Sequence, residues 1–172
     1  GVINSMEIPK GIILEIGGGS TKIAYYNRRN ILAYETLPFG SVSLTEKFAI
    51  EGLSPKEQTQ KVEEFFGEEL AKIPWLKSVD PDAQLIGVGG AFRNLAKMAQ
   101  KVRRYPLDMV HNYHIQKHDF ITIYELIRGL DLDRKMNIKG MSSGRADILP
   151  SAFAAMKAFS DYIGSEEFVI SS

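Results

Sequence analysis

Between Leu14 and Ile31 the chain reads LEIGGGSTKIAYYNRRNI, two apolar runs joined by three consecutive glycines and closed by a polar Asn-Arg-Arg-Asn stretch. Gly11 to Ile16 is too short for a helix and, broken only by Glu15, suits a buried strand. Lys22 to Tyr26 predicts a second strand and Ile31 to Leu37 a third, with Asn27-Arg28-Arg29-Asn30 as the turn between them. The chain therefore opens on an antiparallel meander. A hairpin needs only one or two glycines, so Gly17-Gly18-Gly19 asks for a further reason. Glycine reaches positive φ and leaves no side chain to block an anion, so the turn amides could cradle a phosphate. Ser20 and Thr21 would add hydroxyls, and Glu15 could hold a divalent cation or a water. The plain alternative is a hairpin and nothing more. A strand follows the glycines, which rules out the Walker loop and the dinucleotide fingerprint.

Beyond Leu37 the apolar period changes from two to about 3.6. Ser54-Pro55-Lys56-Glu57 is a capping box, and Val62, Phe65, Phe66 and Leu70 give its helix a buried stripe. Leu85 to Val88 predicts a strand running into Gly89-Gly90, where a helix opens with Phe92, Leu95, Ala96 and Ala99 on one face. A helix N-terminus after glycines favours anions, and Arg93 and Asn94 lie in its first turn. Phe120, Ile123, Tyr124 and Ile127 mark another helix, with Asp119 as its expected cap. Ile148, Ala152, Ala155 and Phe159 mark an alanine-rich one, where Pro150 fits only near the first turn. Glu166 to Ser172 reads as a closing strand.

The bulk numbers exclude several classes. Lys plus Arg and Asp plus Glu number 21 each in 172 residues, so bulk charge does not drive nucleic-acid binding. There is no cysteine, hence neither a disulfide nor a thiolate metal site. No apolar run approaches the roughly 20 residues of a membrane span. A soluble, cytoplasmic α/β protein with no membrane partner and no specific nucleic-acid partner is expected. His111, His114 and His118 have the spacing of ligands on one helix face, but their segment has no helical pattern and no carboxylate stands convincingly beside them, so zinc is the lesser reading. Arg28-Arg29, Lys101, Arg103 and Arg104 read first as solvated turn and helix-end charges. Tyr25-Tyr26 and Phe65-Phe66 are expected in the sheet and the core.

With both glycine turns placed, the chain resembles the exopolyphosphatase/guanosine pentaphosphate phosphohydrolase (Ppx/GppA) family. Glu15 to Lys22, EIGGGSTK, stands where the family reads DIGGGSTE. Gly87, Gly89, Gly90, Arg93, Asn94 and Leu95 match its GxGGxxRNL pattern, and Arg145 to Ala152 its RADx(I/L)xxA stretch. The resemblance implies a ribonuclease-H-like lobe of the actin-like ATPase superfamily, with a mixed sheet and helices on both faces. It covers residues 1–172 as a single domain, the second lobe of a two-lobed phosphatase truncated at both ends. The first lobe, with the glutamate usually assigned as base, would precede Gly1.

The implied activity is release of terminal phosphate from inorganic polyphosphate or guanosine pentaphosphate, with Mg²⁺ or Mn²⁺. The chain by itself is expected to be inactive. Phosphate would be bound by Gly17, Gly18, Gly19, Ser20, Thr21, Gly89, Gly90, Arg93 and Arg145, and the metal by Glu15. The intact protein would join this chain to the first lobe and pair through later segments. Two positions depart from the family: Glu15 replaces Asp, and Lys22 replaces Glu. A lysine cannot act as a carboxylate base or metal-water ligand, though it can hold phosphate as a point charge. An idle surface lysine is the plain alternative. Two further readings stay open: a non-catalytic polyphosphate or alarmone sensor, and a nucleotide-binding actin-like ATPase lobe.

Overall fold

The computed structural model describes residues 8–103, 111–129 and 146–171. Alternating apolar residues in the first strands build the sheet. β1 (Lys10–Ile16) pairs antiparallel with β2 (Thr21–Asn27), and β2 antiparallel with β3 (Asn30–Leu37). Arg28 takes φ +59° in the turn between them. Three more strands, β4 (Gln84–Val88), β5 (Tyr113–Gln116) and β6 (Glu167–Ser171), complete a six-stranded sheet in the order β3-β2-β1-β4-β6-β5. β1, β4 and β6 are parallel, while β5 runs antiparallel to β6. The carboxyl ends of β1, β4 and β6 therefore share one edge, the place where open α/β sheets bind ligands.

Among the described residues five helices cover the sheet: α1 (Ser41–Lys47), α2 (Pro55–Leu70), α3 (Gly90–Val102), α4 (Lys117–Arg128) and α5 (Leu149–Ile163). Ile12, Leu14, Leu85, Phe168 and Ile170 form the sheet side of one core, and the helices supply Leu44, Phe66, Phe92, Phe120, Phe153 and Phe159 to it. Each such buried side chain contributes about 1.5–3 kcal/mol. Alanines on α5 let α2 and α4 approach it closely. Gly87 serves the same end on β4, where a Cβ would lie 2.2 Å from the Phe92 ring.

Helices were expected on both faces; among the described residues all five pack on one. The strands explain it. Their opposite face carries Gly11, Ala24, Glu15 and Lys22, small or charged, around a modest cluster of Tyr26, Ile86 and Val169. The capping box at Ser54 and Glu57 forms as expected. Asp119 does not cap α4: the N-cap is Gln116, and Asp119 sits in the first turn paired with Arg103.

α1, a 3-10 turn at Pro74–Ser78 and β5 were not expected. They are short, and β5 buries only Ile115, so no period shows. A carboxylate does stand beside the histidines: His114 Nδ1 lies 2.7 Å from Glu167 Oε1. No group of three or more metal-ligating side chains gathers among the described residues.

Candidate functional site

The glycine turn joins β1 to β2 at the shared carboxyl edge. Its closing bond runs from the Gly17 amide to the Ser20 carbonyl, 2.9 Å. None of Gly17, Gly18 and Gly19 takes a positive φ, so conformational freedom is not what these glycines supply. Space is. A Cβ on Gly19 would meet nothing within 4 Å, and Gly18 and Gly19 are exposed. The positive φ expected here belongs instead to Gly89, at +101°. Gly89 is the N-cap of α3, with no side chain capping that end.

Parallel pairing brings the two turns together. Glu15 is registered against Val88, and a Cβ on Gly89 would lie 3.6 Å from the Glu15 Cγ. Glu15, half-buried, thus lies between the glycine turn and the start of α3. Lys22 faces Glu15 across the β1–β2 pair and is exposed. Arg93 is exposed on the first turn of α3, its own amide bonded to the Gly89 carbonyl at 3.0 Å. Neither cation forms an ion pair among the described residues. The edge therefore combines exposed glycine backbone, one carboxylate and two cations, a set suited to an anion with a hard cation beside it.

Not every expected residue faces this edge. Thr21 is fully buried and its hydroxyl donates to the Phe39 carbonyl at 2.8 Å, so it anchors the following segment. Ser20 is half-buried at the end of the turn, and Gly90 opens α3. Asn94 is buried and bonds the Gly90 carbonyl at 3.0 Å. Arg145 lies outside the described residues. A cavity at the opposite ends of β4 and β6 is bounded by Asp80, Asp82, Glu166 and Glu167, acids that repel phosphate.

Sequence reasoning missed Gly40 and Ser41. The carbonyl of Gly17 accepts from the Ser41 amide at 2.8 Å and its hydroxyl at 3.3 Å, and that of Gly18 from the Val42 amide at 2.9 Å. The Pro38-Phe39-Gly40-Ser41 stretch carried the turn signal that marks this helix start.

Among the described residues no helix is long and apolar enough to cross a membrane. The sequence profile of the Ppx/GppA phosphatase family matches residues 1–172. A bifunctional 3-dehydroquinate synthase/phosphatase of Fusobacterium nucleatum is 25% identical over 166 residues, covering 93% of this chain and 24% of that protein. An exopolyphosphatase of Cytophaga hutchinsonii superposes with TM-score 0.85 at 23% identity, over 100% of this chain and 56% of its own. The Aquifex aeolicus member of the Ppx/GppA family superposes with TM-score 0.82 at 21% identity, over 99% and 55%. The chain thus spans about a quarter of the curated relative and just over half of these solved chains. Its fold is the mixed α/β sheet with helices of those solved structures. On the match along its whole length, the chain belongs to the Ppx/GppA phosphatase family.

Proposed function

We propose that this chain is the phosphate-binding half of a phosphohydrolase that releases terminal phosphate from inorganic polyphosphate or guanosine pentaphosphate. It is read as the second lobe of a two-lobed protein and as inactive alone. The observation that carries the reading is the convergence of two glycine turns on one carboxylate, with Glu15 against Gly89 and the exposed Gly18 and Gly19 beside them. Family membership and the likeness to an exopolyphosphatase support the substrate class.

In this reading the Gly18 and Gly19 amides and the start of α3 bind phosphate oxygens and stabilise charge as it shifts during transfer. Arg93 and Lys22 add positive charge, and Arg145 joins them. The base that activates water comes from the other lobe. Mg²⁺ or Mn²⁺ belongs to the proposal: one carboxylate with phosphate oxygens and waters is an ordinary donor set for Mg²⁺, and Glu15 would be that carboxylate. The ion would neutralise phosphate charge.

Phosphate release by the full-length protein from long-chain polyphosphate and from guanosine pentaphosphate, with Mg²⁺ or Mn²⁺, is the test. Turnover of either substrate is the expected result; none on both overturns the enzyme reading. One observation favours a second reading. Lys22 stands opposite Glu15, where a positive charge competes with a metal ion, and a protein that binds polyphosphate or an alarmone without hydrolysing it accounts for that. Binding without turnover would select it.

A further inference from the structure

The two loop carbonyls that face α1 determine where the neighbouring amides point. No peptide bond among the described residues is cis, and in a planar trans peptide the C=O of one residue and the N–H of the next point in opposite directions. The Gly17 carbonyl is held by the Ser41 amide and the Gly18 carbonyl by the Val42 amide. The N–H groups of Gly18 and Gly19 are therefore turned away from α1, towards the exposed side of the edge. The same bonds satisfy the orphan amides at the start of α1, so two loop peptides lie head to tail with the helix and extend its dipole to the glycine amides.

Gly40 makes this possible. A Cβ there would lie 2.1 Å from the Gly17 carbonyl oxygen and 2.8 Å from the Gly18 carbonyl, both backbone. α1 and the segment leading into it are themselves held, because Thr21 Oγ1 donates to the Phe39 carbonyl and Thr45 Oγ1 to Ser151 Oγ on α5. We propose that α1 aims the anion-binding amides of the glycine turn, with Gly40 and Ser41 as positioning residues. This rests on the phosphate reading above.

The test uses the full-length protein and tripolyphosphate in EDTA, followed by calorimetry and by glycine amide resonances. In the native protein the Gly18 and Gly19 amides shift on binding, while Gly17, tied to Ser20, does not. Ser41→Pro deletes both the amide and the hydroxyl that hold the Gly17 carbonyl, at the first helical position, where proline is tolerated. Its dissociation constant is expected to rise about tenfold, the worth of one hydrogen bond to a charged group, with the melting temperature little changed. Ser41→Ala keeps the amide and loses less. Gly40→Ala, which pushes the loop, loses at least as much as Ser41→Pro.

A folded Ser41→Pro variant that binds as tightly as the native protein overturns the inference. So does a native titration in which Gly17 shifts most, a result that stands even if none of the three variants folds. Absence of any native binding instead sinks the phosphate reading itself.

Discussion

Glu15 and Lys22 are direct register partners on β1 and β2, side by side on the face away from the helices, yet no ion pair joins them. In the function proposed above, each meets the ligand. Replacing Lys22 by Glu exchanges a fixed positive charge for a second carboxylate. Affinity of the full-length protein for tripolyphosphate in EDTA should fall about 10- to 100-fold, as expected for reversing one charge near a phosphate. Mg²⁺ should recover more of the loss in Lys22→Glu than it adds to the native protein, which calorimetry with and without the ion measures.

Glu15→Gln keeps the shape and removes the charge. Phosphate release should fall about 100-fold, with the Mg²⁺ concentration for half-maximal rate raised. A rate loss with unchanged metal dependence would mean that Glu15 does not hold the ion.

Arg93 is exposed and unpaired among the described residues, so its substitution should leave folding intact. Arg93→Ala is expected to weaken tripolyphosphate binding about tenfold at low salt. At 1 M salt, where the screening length is about 3 Å, the difference should nearly vanish. A salt-independent effect would point to a shape role instead.

Gly87→Ala places a methyl 2.2 Å from the Phe92 ring, which is fully buried. Overpacking of this kind costs about 1–3 kcal/mol, and Phe92→Ala alone about 3–5 kcal/mol. Because the two atoms compete for one space, the double variant should lose less than the sum of the singles. Urea unfolding of all three gives the comparison.

Burial alone would raise the Asp161 pKa, but hydrogen bonds from Lys117 and Lys157 hold it below its ordinary value of 3.8. A depressed carboxyl contributes stability above its unfolded pKa and loses it as pH falls through the folded one. The native protein should therefore lead Asp161→Asn in melting temperature at neutral pH. That lead should shrink below about pH 4. A pH-independent difference would show that the carboxylate charge plays no part.

Much of this fold was legible along the chain because it rests on local rules. Apolar runs with polar turns marked β1 to β3, and the Ser54 to Glu57 box marked the start of α2. Gly89-Gly90 marked the start of α3 through a position that only a residue free at positive φ fills well. α1 and β5 were illegible because each spans too few residues for a period, and each is held by distant partners: α1 by the glycine turn and Ser151, β5 by β6.

The candidate site divides along the same line. The residues Glu15, Gly17 to Gly19, Gly89 and Arg93, and the kinship to the Ppx/GppA family, were determined by the sequence itself, since spacing and residue type carry them. Only tertiary structure decided which groups serve one edge. It turned the Thr21 hydroxyl inward, set Lys22 opposite Glu15, and placed Gly40 where its missing side chain lets α1 hold the loop. Register and close backbone approach depend on strands and loops far apart in the chain, and no local pattern encodes them.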